Sequence, residues 1–210
     1  MTEFQPLSER LRPRQLEDLA LPRYVTKKLQ RMLDAKDPMN MVFHGPPGTG
    51  KTSAARIFLQ AWDQQDTLLI NGAMDTGINH VRDLVRGFAV TPFRIEELRL
   101  CFIDEADHLS SSAQASLRVI IEQTVGQCRF ILAVNERSKL SEPLRSRLHA
   151  VDFTVRGPLD EEVKQRLLAW YSNRLSELEL NMGADTVAKI VTLYFPDFRR
   201  IANALEFGLR

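Results

Sequence analysis

Hydrophobic and polar positions along the chain follow two rhythms. Short apolar runs rich in β-branched or aromatic residues occur at Met41–His44, Leu68–Ile70, Leu100–Ile103, Phe130–Val134 and Val151–Phe153. Each has the length of a buried strand. Between them, apolar residues recur at helical spacing: Val25, Leu29, Met32 and Leu33 form one stripe, Ile57, Phe58 and Trp62 another, and Leu117, Ile120 and Ile121 a third. These are ordinary core-facing helix sides. Strands alternating with helices predict an α/β fold, a five-stranded parallel sheet flanked by helices.

After Val155 the rhythm changes. Gly157-Pro158 breaks the chain, and Asp160 stands where a helix N-cap is expected, with Glu161 and Glu162 favourable in the first turn. From there the stripes are helical only. Val163, Leu167, Leu168, Tyr171 and Leu175 form the first; Val187, Ile190, Val191 and Tyr194 the second; Phe198, Ile201, Leu205 and Leu209, after Pro196, the third. The expected organisation is an α/β domain over residues 1–155 followed by a small all-helical lid over residues 156–210, with no internal repeat or low-complexity segment.

Composition narrows the function classes. A chain of 210 residues with 44% hydrophobic content can bury a full core. Lys plus Arg (28) nearly balance Asp plus Glu (27), so bulk charge predicts neither a polyanion binder nor a membrane-surface protein. Any nucleic-acid contact must be local. Cys101 and Cys128 both lie in apolar runs, which suits buried thiols in a reducing compartment. The segment from Met1 to Arg12 is polar and charged, and no apolar run has the length needed to cross a bilayer. The expectation is a cytoplasmic protein with no membrane partner, nuclear in a eukaryote and in the infected cytoplasm for a phage.

The strongest chemical signal is Gly45-Pro46-Pro47-Gly48-Thr49-Gly50-Lys51-Thr52, directly after the first strand and before a helix that continues through Ser53. Two glycines with four residues between them, followed by lysine and a hydroxyl residue, form a loop that cradles phosphates. Its backbone N–H groups face the phosphate oxygens, Lys51 reaches the β- and γ-phosphates, and Thr52 ligates magnesium. ATP and Mg2+ are therefore the expected cofactors. The run Leu100-Cys101-Phe102-Ile103-Asp104-Glu105-Ala106-Asp107 is a strand entering carboxylates. There Asp104 would hold the metal shell and Glu105 would polarise the attacking water.

Seven further residues carry two readings each. Asn135, at the end of Phe130–Val134, suits a γ-phosphate sensor, although an asparagine closing a strand is also ordinary turn chemistry. Arg147 suits a finger that stabilises transition-state charge, or a solvated surface arginine. Arg199 and Arg200 pose the same question at the start of a helix, where a cation is unfavourable for the dipole. Arg82, Arg86 and Arg94 fall in one region, either as a solvated face or as sequence-independent phosphate contacts.

Taken together, these segments resemble the AAA+ ATPases of the clamp-loader family: replication factor C small subunits and the ATPase subunit of T4-like phage clamp loaders. Leu11-Arg12-Pro13-Arg14-Gln15-Leu16-Glu17-Asp18 is similar to the family's opening Tyr-Arg-Pro segment, with leucine for tyrosine. This implies that Arg12 and Pro13 lie near the adenine. Asn71-Gly72-Ala73-Met74-Asp75, with Gly77-Ile78 and Val81-Arg82, resembles a segment that faces DNA and implies contacts from Ile78 and Arg82. Gln114-Ala115-Ser116-Leu117-Arg118 with Glu122 resembles the helix that couples DNA binding to the ATP site; Val119 replaces a second arginine. Asn135, Ser138-Lys139-Leu140 and Glu142-Pro143-Leu144 resemble the first sensor segment. Ser146-Arg147 resembles the Ser-Arg-Cys finger motif, with Leu148 for cysteine, and implies that Arg147 acts in trans. Phe195-Pro196-Asp197-Phe198-Arg199 resembles the phage version of the second sensor and points to Arg199.

The resemblance implies an ATP-hydrolysing subunit of a ring or spiral that loads a sliding clamp onto primer–template DNA during replication. Its partners would be the clamp, that DNA and other loader subunits. Clamp loaders continue into a helical collar that holds a pentamer; the chain ends at Arg210 without it, so a fragment and a differently assembling protein both stay open. The alternatives are another AAA+ nucleic-acid ATPase, such as a helicase loader or branch-migration motor, and a nucleotide-binding interaction module without turnover.

Overall fold

The computed structural model describes residues 5–74, 78–90, 98–155 and 159–209, with the side chains of 78–82, 90, 159 and 160 left aside. Five strands form one sheet: β1 (Met41–His44), β2 (Thr67–Asn71), β3 (Arg99–Asp104), β4 (Cys128–Val134) and β5 (His149–Asp152). Their spatial order is β2-β3-β4-β1-β5, and every pairing is parallel. Around it lie α1 (Leu7–Arg10), α2 (Arg23–Asp34), α3 (Lys51–Gln60), α4 (Ile78–Val90), α5 (Ser111–Gln123) and α6 (Glu142–Arg145). Beyond the sheet come α7 (Leu159–Glu177), α8 (Ala184–Tyr194) and α9 (Phe198–Gly208).

A parallel sheet is covered on both faces, so its central strands read as unbroken apolar runs. The period of two then divides each run between two cores. Val42, Cys101, Ile103, Phe130 and Leu132 face Val85 and Ala89 of α4 and Leu117, Ile120 and Ile121 of α5. Met41, Phe43, Leu100, Phe102, Ile131 and Ala133 face Leu29 of α2 and Ala54, Ile57 and Phe58 of α3. Both cysteines are free and buried, as their apolar context predicts. Burial pushes the Cys128 thiol up to about 12.

The last three helices bury a third core around Val163, Leu167, Tyr171, Val191, Ile201 and Leu205. Tyr171 donates its hydroxyl proton to the Phe198 carbonyl at 3.2 Å, so its burial leaves no polar end unmatched. Leu7 and Leu11 join this cluster, and the Leu7 N–H donates to the Glu206 carboxylate at 3.2 Å. The N-terminal segment is therefore stapled to α9. Helix α7 begins at Leu159, so Asp160 stands inside its first turn instead of capping it; Gly157 and Pro158 lie outside the described residues. Among the described residues, no helix is long and apolar enough to cross a membrane.

Candidate nucleotide site

β1 delivers the chain into the glycine loop, and α3 starts immediately after it, at Lys51. Gly50, the residue before α3, has φ 94°, a left-handed conformation that glycine adopts without cost. Gly48 has φ 78°, and a Cβ there would overlap the Asp197 carboxylate. The Thr49 hydroxyl donates to the Pro46 carbonyl at 2.9 Å and ties the loop to itself. The first-turn N–H groups of α3 have no intrahelical partners, which makes this end an anion receptor.

The Lys51 ammonium donates to the carbonyls of Gly45 and Pro46, each at 2.7 Å, and to Asn135 Oδ1 at 3.1 Å. Its side chain is buried. That burial pushes its pKa down to about 8, with Asp104 and Asp107 pulling the other way.

Next to Lys51, the Thr52 hydroxyl donates to Asp104 Oδ2 at 2.9 Å. The strand order explains the meeting: β4 lies between β1 and β3, so the carboxyl ends of all three converge, where open parallel sheets present ligand-facing residues. Glu105 has φ 51°, uncommon for a residue with a Cβ; this turns the chain sharply out of β3 and leaves the Glu105 side chain exposed at the cleft mouth. Asn135 follows β4, and its N–H donates to Asp107 Oδ2 at 3.3 Å. The Asp107 side chain is only 1% exposed and lies 3.9 Å from the Lys139 ammonium. Its other oxygen is buried without a hydrogen-bond partner among the described residues.

Helix α9 and the N-terminal segment complete a cleft of about 510 Å³, with Arg199 and Phe198 on one side and Arg12 and Pro13 on another. Pro47, Ser53, Asp104 and Asn135 also line it. The Arg12 Nε donates to Glu9 Oε2 at 3.0 Å, and this bond holds the Glu9 carboxyl below the usual range. Arg200 faces elsewhere: its guanidinium lies 4.9 Å from the Tyr194 ring centre, beside an open, largely apolar groove between α8 and α9. Geometry thus separates two neighbouring arginines that pattern alone does not.

Arg147 is absent from its own chain's cleft. Its Nε and Nη2 pair with the Glu122 carboxylate of α5, and its Nη1 donates to the Pro143 carbonyl at 2.7 Å and to Ser146 Oγ at 2.8 Å. Gln114, buried on the same helix, donates to the carbonyls of Leu109 and Lys139 at 3.1 and 3.2 Å and accepts the Ser141 N–H at 2.7 Å. Helix α5 therefore grips the segment leading to Arg147 at both ends. Arg118, four residues before Glu122, is half-buried. The side chains of Ile78 and Arg82, and the whole of Asp75, Gly77 and Arg94, lie outside the described residues.

Tertiary structure also brings in residues that the sequence reading leaves unassigned. Glu9 joins Arg12 at the cleft wall, Asp107 holds the Asn135 backbone, and Asp197 touches the glycine loop. Asp107 carries a sequence signal, three residues after Asp104, and Asp197 lies inside the Phe195–Arg199 segment that points to Arg199; Glu9 carries none that points to this cleft.

A glycine loop ahead of a helix N-terminus, with a lysine inside it and a hydroxyl–carboxylate pair beside it, defines a phosphate-loop nucleotide fold. Residues 41–156, more than half of the chain, match the ATPase family associated with various cellular activities (AAA). The chain belongs to the AAA family. The replication factor C small subunit of Halobacterium salinarum is 35% identical over 204 residues, covering 94% of this chain and 61% of that protein. The replication factor C small subunit of Methanocella arvoryzae is 32% identical over 213 residues, covering 98% of this chain and 64% of that protein. The chain thus spans a little over 60% of the length of these curated relatives. A RuvB Holliday junction branch migration motor from Thermotoga maritima shares the fold, with a TM-score of 0.70 over 92% of this chain and 63% of that one at 21% identity.

Proposed function

We propose that this chain is an ATP-hydrolysing clamp-loader subunit that acts with other subunits to load a sliding clamp onto primer–template DNA. The observation that carries the nucleotide chemistry is the convergence of Lys51, Thr52, Asp104 and Asn135 through direct hydrogen bonds, in a cleft that Arg199 also lines. The clamp-loading part rests on the likeness to replication factor C small subunits over nearly the whole chain. Residues 1–155 form the ATPase unit and residues 156–210 the lid.

The loop N–H groups and Lys51 bind the polyphosphate, with Arg12 and Pro13 toward the base and Arg199 reaching in from the lid. Thr52 and Asp104, two hard oxygen donors 2.9 Å apart, fit Mg2+, which takes few protein oxygens and completes its shell with water and phosphate. The metal supplies charge neutralisation on the phosphates. Glu105 accepts the proton of the attacking water as the water oxygen bonds to the γ-phosphorus and the bond to the β–γ bridging oxygen breaks. Asn135 holds the amide end of this arrangement. Arg147, outside its own cleft, serves a neighbour's γ-phosphate in trans, while Gln114, Arg118 and Glu122 link that arginine to the DNA side carrying Ile78 and Arg82.

The test is steady-state ATP hydrolysis by the assembled protein, with and without clamp and primer–template DNA, alongside Glu105→Gln. The expected result is stimulation by clamp and DNA together, and a Glu105→Gln protein that binds ATP but turns over at least about a hundredfold more slowly. Normal turnover by Glu105→Gln would reject the assigned base. A rate indifferent to clamp and DNA would reject clamp loading while leaving the nucleotide site intact.

A further inference from the structure

The glycine loop and the lid helix meet at a point that the nucleotide reading leaves unused. Asp197 precedes α9 and caps it, accepting the Arg200 N–H on Oδ1 at 2.9 Å. The adjoining Phe198 N–H donates to the Gly48 carbonyl at 2.8 Å. This bond and the cap hold the Asp197 side chain directly against Gly48, where a Cβ on residue 48 would overlap the carboxylate. Asp197 is half-buried. Its negative charge is felt at Lys51, where burial disfavours the ammonium and Asp197 is among the carboxylates that favour it. No arginine or lysine forms an ion pair with it among the described residues.

A carboxylate at this place faces the loop whose function, on the nucleotide reading above, is to receive phosphate oxygens. Both anions seek the same positive potential, that of the loop N–H groups, Lys51 and Arg199. We infer that Asp197 is an affinity-setting residue of the nucleotide site: its carboxylate, pinned to the glycine loop by the α9 cap, opposes the polyphosphate and keeps nucleotide binding readily reversible. This inference rests on the nucleotide reading and adds to it a residue whose removal strengthens binding.

Asparagine caps helices about as well as aspartate, so Asp197→Asn removes the charge and keeps the cap. The experiment measures ATP with magnesium, ADP with magnesium, and adenosine binding to the 210-residue chain and its Asp197→Asn variant. Displacement of a fluorescent ATP analogue at pH 7, in low and high salt, gives the affinities, and thermal melts accompany them. One charge held against the phosphate loop in partly solvated protein predicts ATP and ADP binding roughly five- to tenfold tighter in the variant. The gain shrinks as salt rises, and adenosine affinity is unchanged. Asp197→Ser, which also caps without charge, is expected to tighten ATP binding in the same direction and stands in if the asparagine variant melts early.

Unchanged or weaker ATP binding in a variant with wild-type melting overturns the inference, as does equal tightening of adenosine, which would mark a packing effect. The two failures are distinguishable. If the wild-type chain itself does not bind ATP, the nucleotide reading falls and this inference with it. If the wild type binds and neither variant binds tighter, only this inference falls.

Discussion

Lys51 and Arg147 are both cations assigned to phosphate, and their surroundings differ in nearly every respect. Lys51 is buried, donates to two loop carbonyls and Asn135, and has its pKa pushed by burial down to about 8. Arg147, in the turn after α6, is about one-third exposed and pairs with Glu122 of α5. It also donates to carbonyl and hydroxyl oxygens of its own loop. The first is built into a cleft lined by its own chain. The second is held outside that cleft, in an orientation set by α5. On the reading proposed above, the buried lysine serves binding in its own chain, and the arginine held at the surface serves turnover in a neighbour.

The largest test of this contrast is Arg147→Ala. ATP affinity of the single chain is expected to stay within about twofold, while turnover of the assembled protein falls on the order of a thousandfold. Weakened ATP binding by the single chain would break the comparison. Lys51→Ala is expected to weaken ATP binding roughly a hundredfold or more, since it removes a desolvated charge from the phosphate site; calorimetric titration reads this directly.

The pH dependence has a definite sign. In the free chain Lys51 loses its proton near pH 8, and a bound polyphosphate favours the charged form. ATP binding is therefore strongest below about pH 8 and weakens above it, by up to about tenfold per pH unit. A flat affinity between pH 7 and 9 would show that Lys51 does not titrate there. The smallest effect belongs to Glu122→Gln: both side chains of the pair are partly exposed, so thermal unfolding is expected to shift by no more than about 1 kcal/mol.

Much of the sheet was legible because its strands are buried on both faces and read as continuous apolar runs. Phe130–Val134 lies wholly within β4 and Met41–His44 coincides with β1. The fifth strand is displaced: the apolar run suggests Val151–Phe153, whereas β5 spans His149–Asp152, because His149 and Ala150 pair with Met41 and Val42 despite their weak apolar signal. Phe153 leaves the strand yet still donates its N–H to His44 at 2.7 Å. The four-residue α6 is too short to show a period. α4 has no stripe among those read above, although Val85 and Ala89 are buried one turn apart.

The candidate site divides in the same way. Lys51 and Thr52 share a local motif, whose spacing alone dictates a loop and a helix start. Asp104, Glu105 and Asn135 are legible as polar residues closing apolar runs, but their meeting with Lys51 depends on β4 lying between β1 and β3.

What the sequence determined by itself is whatever depends on residues close along the chain: the strand and helix periods, the glycine loop, the carboxylates ending β3, and the helical character of the last quarter. Tertiary structure alone decided which distant groups share one space. It set Arg199 at the cleft and Arg200 over Tyr194, paired Arg147 with Glu122, buried Leu7 and Leu11 among the last three helices, and laid Asp197 against Gly48. Local propensity acts over a few residues. Contacts across nearly 150 residues, such as that between Gly48 and Asp197, are chosen by strand order and by which apolar faces must be covered, and neither is written in any short stretch of chain.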